Sequence, residues 1–134
     1  MRLVFGEKDA PYEEARVVVL PVPYDLSLSF LPGARRGPEA ILLASRELEP
    51  FLLELGAAPE EVGIHAAEPV PWVAGMAEES HRLIREEALK HLRAGKWLVA
   101  LGGDHSVTHP LVQAHREALW EFSLLHVDAH ADLY

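Results

Sequence analysis

The stretch Trp97-Leu98-Val99-Ala100-Leu101-Gly102-Gly103-Asp104-His105-Ser106 decides how this chain is read. Five apolar residues run into a glycine pair. Helical spacing resumes near Thr108, with Pro110 in the first turn where a missing N–H costs least, and continues to about Leu119. A buried-type strand, a tight connection and a helix make one unit of a parallel α/β sheet.

Working outward, the same alternation repeats. Upstream, residues 77–94 carry Leu83, Ile84, Ala88 and Leu92 on one face with Glu and Arg on the other, and Gly95 stands where a helix C-cap glycine belongs. Residues 62–67, between Pro59 and Pro69, are expected to form a short strand. Pro38, Ile41, Ala44 and Leu48 predict a helix that Pro50 ends, and the β-branched run 16–20, closed by Pro21 and Pro23, predicts a strand buried on both faces. Downstream, residues 122–127 predict a further strand. With no repeat and no linker, residues 1–134 are expected to belong to one domain, joined by right-handed crossovers. Ligands of such sheets bind beyond the carboxyl ends of the strands, where 102–106 and 128–132 both fall.

A chain of 134 residues is long enough to bury roughly two-thirds of its unfolded surface. With 12 Lys and Arg against 21 Asp and Glu, net −9, it offers no basic stripe for phosphates, so no nucleic acid partner is expected. The acidity serves solubility or attracts a cationic substrate. No secretory pattern opens the chain and no apolar run approaches the length of a membrane span, so a cytoplasmic location and no membrane partner are expected. The absence of cysteine excludes disulfides and thiolate metal sites, leaving imidazole and carboxylate as the metal ligands.

Those ligands are concentrated in Asp128-Ala129-His130-Ala131-Asp132. Three ionisable groups at every second residue of an extended chain point to one side, and carboxylates this close repel unless a cation neutralises them. His105 adds an imidazole from the neighbouring strand end. Mixed nitrogen and oxygen donors without sulfur suit manganese, iron or zinc, with the carboxylates favouring manganese. Four ligands could close one tetrahedral centre but are too few for two octahedral ions.

The pair Gly102-Gly103-Asp104-His105-Ser106 and Asp128-Ala129-His130-Ala131-Asp132 resembles the ureohydrolase family of arginases and agmatinases. Val22-Pro23-Tyr24-Asp25 and Pro32-Gly33-Ala34-Arg35-Arg36-Gly37-Pro38-Glu39-Ala40-Ile41 are similar to that family's N-terminal loop and helix start. The resemblance implies a three-layer α-β-α fold with a mainly parallel sheet, incomplete in this chain. It implies hydrolysis of a guanidinium compound to urea and an amine by a hydroxide bridging two Mn2+ ions. His105, Asp128, His130 and Asp132 would be metal ligands, with Asp104 behind them, supporting a ligand without binding the ions itself. Tyr134, where arginases usually carry Asn, follows the agmatinase pattern and ranks agmatine first as the small cationic guanidine substrate. A homo-oligomer, trimer or hexamer, is implied as well. The family's remaining two metal-binding aspartates, its proton-shuttling histidine and its substrate-clamping acid would follow Tyr134, so the 134-residue chain alone is expected to be inactive.

Other residues have plainer readings. His81, His91 and His115 are expected to face solvent on helices, and His109 to cap a helix or line the pocket. His126, two residues before Asp128, points the same way as an outer-shell donor or packs in the core. Arg35 and Arg36 are expected to be exposed loop residues. The competing functional reading is a non-catalytic fragment or subunit that keeps the scaffold and a partial metal site; a deacetylase on a related fold ranks third.

Overall fold

The computed structural model describes residues 4–26, 31–49 and 51–131. Strand β1, Val17–Val22, lies between β2, Ile64–Ala66, and β3, Trp97–Gly102, and both pairings are parallel. Val17 stands opposite Ile64 on one side and Trp97 on the other, and the β3 pairing runs on to Val22 opposite Gly102. The ends of β1 and β3 are therefore flush.

Alternation along β1 sorts the core onto two faces. Val18, Leu20 and Val22, with Tyr24 beyond the strand, pack against Ile84, Ala88 and Leu89 of helix α2 (Ala77–Arg93) and Ala114 of helix α3 (Thr108–Ala118). Val19 faces the other way, onto Leu42 of helix α1 (Gly37–Ala44), beside Ile64 and Ala66. Helix, sheet and helix thus form three layers, with the most buried strand in the middle. β1 is apolar throughout because neither face meets water.

Helix ends follow local chemistry. Pro38 occupies the first turn of α1, as its missing N–H allows. Glu78 and Glu79 open α2, while Lys90 and Arg93 close it, each charge matched to the helix dipole. Gly95 follows at φ 74°, the left-handed turn in which a side chain would be strained. The helix expected to reach Leu48 is shorter: α1 stops at Ala44 and a 3-10 turn, Ser45–Glu47, replaces its last turn. Ser45 Oγ donates to the Leu42 carbonyl at 2.8 Å and accepts the Gly6 N–H at 2.9 Å, which tightens the chain there.

The strand expected over 122–127 does not form: these residues are exposed and belong to no ladder. The outer edge of β3 has no partner strand among the described residues, and 122–127 does not pair with it. No helix among the described residues is long and apolar enough to cross a membrane.

Candidate metal centre

The flush ends of β1 and β3 set the site. Gly103 donates its N–H to the Val22 carbonyl at 3.2 Å, and Asp104 donates to the Tyr24 carbonyl at 2.8 Å. A side chain on Gly103 would overlap the Tyr24 backbone, and one on Gly102 would come within 2.9 Å of Val107 Cγ2. The glycine pair thus serves close approach, since neither residue adopts positive φ.

Asp104 then turns the chain. Its backbone is extended, and its carboxylate accepts the Ser106 N–H at 3.0 Å and the Ser106 hydroxyl at 2.5 Å, capping the 3-10 turn His105–Val107 that leads into α3. Asp104 is buried while His105, the next residue, is exposed at the carboxyl end of β3. His105 Nδ1 lies 3.2 Å from Thr108 Oγ1, a contact that orients the ring.

The second segment meets it there. The His105 and His126 rings stack at 5.7 Å with 8° between their planes, and His126 Nε2 is 3.9 Å from Asp128 Oδ2. One ligand atom each from His105, His126 and Asp128 lies within 4.8 Å of the others. Asp128 Oδ1 accepts the His130 N–H at 2.8 Å and sits 3.3 Å from His130 Nδ1. That backbone hydrogen bond, with the nearby His126 and His105 imidazoles, holds the Asp128 carboxyl below its ordinary value. It is therefore a carboxylate at neutral pH. Two imidazole nitrogens and an ionised oxygen, convergent and open to solvent, fit a divalent manganese or zinc ion.

Of the residues expected to bind metal, His105 and Asp128 converge. His130 adjoins Asp128 but stands outside the three-atom group. His126, expected behind the ligands or in the core, is instead exposed and within ligand reach. Asp132 and Tyr134 lie outside the described residues. Asp104 is placed as a helix cap directly before His105.

The other histidines require correction. His91 does not face solvent: it is buried, Nδ1 3.0 Å from the Tyr12 hydroxyl and Nε2 3.2 Å from Glu87 Oε1. Its position on the Ile84, Ala88, His91 stripe carries the signal. His81 and His115 are half-buried. His81 packs 5.4 Å from the Tyr24 ring, and His115 Nδ1 is bonded to the Leu111 carbonyl at 2.8 Å. His109 is exposed beside Gln113. Asp25, quoted within the N-terminal loop segment but given no role there, has a buried carboxylate that accepts the Gly33 N–H at 3.0 Å and pairs with Arg35 at 3.2 Å. Arg35 and Arg36 are exposed as expected, but they lie in a 3-10 turn, Ala34–Arg36, and Arg35 is held by this pair with Asp25.

A three-layer parallel fold brings glycine-turned histidine and aspartate–histidine segments together at strand ends, and comparison with known proteins gives the class. The arginase-family model matches residues 15–134, and the chain belongs to that family. It is 99% identical over all 134 residues to an N(1)-aminopropylagmatine ureohydrolase of Thermus thermophilus, covering 46% of that protein. It is 36% identical to an agmatinase of Bacillus anthracis, over 97% of this chain and 45% of the relative. Among solved structures, a candidate agmatinase from Clostridium difficile superposes with TM-score 0.86 at 30% identity, over 92% of this chain and 45% of that one. A Trypanosoma cruzi formiminoglutamase with Mn2+ matches at TM-score 0.69 and 24% identity, over 79% and 38% of the two chains, a likeness of fold alone. The chain spans about half the length of the curated relatives it matches.

Proposed function

We propose that the protein carrying this chain hydrolyses a linear guanidinium compound to urea and an amine at a two-manganese centre. The observation that carries the reading is the meeting of His105, His126 and Asp128 donor atoms within 4.8 Å at the carboxyl ends of the sheet. His105, Asp128, His130 and Asp132 are the proposed ligands, and His126 is within reach as a further donor or as the partner that orients one. Bound Mn2+ would supply Lewis acidity that brings the pKa of a water toward neutrality.

The chain's own residues prepare that chemistry. Asp128 is ionised without help from a metal, because the His130 N–H and the two imidazoles stabilise its charge. Asp104, buried and bonded to Ser106, fixes the turn that presents His105, while Tyr24, just beyond β1, holds the same turn through its carbonyl. A guanidinium is planar and cationic, so the Asp128 carboxylate, in a chain of net charge −9, favours its approach.

Agmatine is the substrate the Tyr134 position favours. The names of two relatives, 99% and 96% identical, support N1-aminopropylagmatine ahead of it. Both present the same guanidinium end to the metals, and only the tail differs. Formation of polyamines, a cytoplasmic location and a homotrimer or homohexamer complete the proposal.

The test is urea release by the protein from its whole reading frame, loaded with Mn2+, from N1-aminopropylagmatine, agmatine, arginine and guanidinobutyrate. Release from the first two, with N1-aminopropylagmatine preferred, is expected. No urea from any of the four would overturn the reading.

A second reading, a non-catalytic subunit keeping the scaffold, draws on the exposed Trp97, Trp120, Leu125 and Val127. These apolar side chains at and beyond the outer strand offer a surface for another polypeptide. A protein that assembles stoichiometrically, folds and yet binds no Mn2+ would favour it.

A further inference from the structure

Tyr24 and Asp25, the two residues that continue β1 past its last prolines, face different parts of the same problem. The Tyr24 carbonyl receives the Asp104 N–H at 2.8 Å, so the turn presenting His105 is seated on the Tyr24 backbone. Asp25 leaves only 1% of its side chain exposed. Its Oδ2 accepts the Gly33 N–H at 3.0 Å and its Oδ1 accepts from Arg35 at 3.2 Å. Gly33 adopts φ 137°, a conformation that side chains disfavour, immediately before the turn into α1. The Arg35 guanidinium in turn lies 6.0 Å over the Trp72 ring. At the start of α1, Gly37 packs so that a Cβ there would lie 3.4 Å from the Gly102 carbonyl oxygen.

The 102–104 turn is therefore bracketed, by Tyr24 on one side and by the start of α1 on the other, and a single buried carboxylate ties the two brackets together. A buried charge persists only where donors satisfy it, so this one has a defined geometry to enforce. We propose that Asp25 is a positioning residue of the candidate metal centre, fixing the backbone seat of Gly103-Asp104 and thereby the aim of His105. The proposal rests on the metal reading above. Residues that orient ligands through a second contact typically cost 10- to 100-fold in metal affinity when removed, and Asp25, one step more remote, is expected at about tenfold.

The experiment uses the protein from its whole reading frame and compares D25N, R35Q and S45A. Ser45 is buried and hydrogen-bonded at the opposite end of α1, so S45A matches the loss of a buried contact without touching the bracket. Two readouts are taken: the Mn2+ dissociation constant by electron paramagnetic resonance, and amide hydrogen exchange of the 102–107 peptide in metal-free protein. D25N is expected to weaken Mn2+ about tenfold and to speed exchange of that peptide. R35Q, at a half-exposed side chain, is expected to shift both readouts in the same direction by less. S45A is expected to shift neither.

Unchanged affinity and exchange in D25N and R35Q, with the unsubstituted protein binding Mn2+ normally, overturns the positioning role and leaves the proposed function standing. Equal weakening by S45A overturns it also, since general destabilisation then explains the effect. Failure of the unsubstituted protein to bind Mn2+ overturns the metal reading, and this role with it. If D25N does not fold, R35Q decides between these outcomes.

Discussion

Gly103 and Tyr24 approach so closely that no side chain fits between them: a Cβ on Gly103 would overlap the Tyr24 carbonyl oxygen. This contact joins the end of the central strand to the turn that carries Asp104 and His105. Gly103→Ala is expected to force a backbone shift at the point where His105 is aimed, at a cost of about 1–3 kcal/mol or more. A fall in Tm together with loss of Mn2+ uptake is the expected outcome. An alanine variant with unchanged Tm would show that the turn is not held as described.

Leu42 is fully buried between α1 and the sheet, on the face opposite α2 and α3. Leu42→Ala removes most of what that small cluster packs around, and about 2–5 kcal/mol of stability should go with it. Urea unfolding checks this. A change well below 1 kcal/mol would mean that α1 contributes little to the core.

Burial lowers the pKa of His91 from its ordinary 6.5, with Lys90 and His65 acting in the same direction and Glu87 opposing. Tyr12 also faces the ring. Below about pH 6.5 the unfolded chain takes up this proton more readily than the native one. The stability contribution is therefore complete above that pH, declines as pH falls toward the lowered native value, and is lost below it. His91→Gln should flatten this part of the pH dependence, and urea midpoints between pH 7.5 and 5 for the two proteins should diverge accordingly. Parallel profiles would contradict the buried neutral state.

Asp128→Asn keeps the shape of the side chain and removes its charge. Mn2+ occupancy, measured by metal analysis after dialysis, should fall at least about tenfold. His109→Ala, an exposed imidazole outside the cluster, should leave it unchanged. Equal effects would contradict the assignment.

How far the sequence could be read depended on whether its signals were local. The β-branched 16–20 run lies in the central strand because such a run has somewhere to be buried on both sides, although β1 spans Val17–Val22 and Pro21, expected to close it, pairs with Leu101 inside the ladder. Gly95 marked the end of α2 because its left-handed turn is a property of the residue itself. The end of α1 was not local: Ser45 bonds to Gly6, 39 residues away, and no periodicity carries that. The 122–127 run has the composition of a strand, but composition does not decide pairing, and it joins no ladder among the described residues.

The candidate site divides the same way. His105 and Asp128 were legible from motif spacing, and they converge. The place of His126 depended on its stacking against His105, a contact between segments far apart in the chain. The contacts of Asp25 were hidden for a related reason, since a motif position gives no sign that Gly33 and Arg35 will turn back to it.

Whether the 102–106 and 128–132 segments share one metal site can be read from anomalous diffraction at the manganese edge, using crystals of the whole protein grown with Mn2+. Anomalous peaks are expected within bonding distance of His105 and Asp128, with His126 or His130 completing the contacts from the second segment. Manganese bound elsewhere, or those side chains turned away from any common ion, would contradict the shared site.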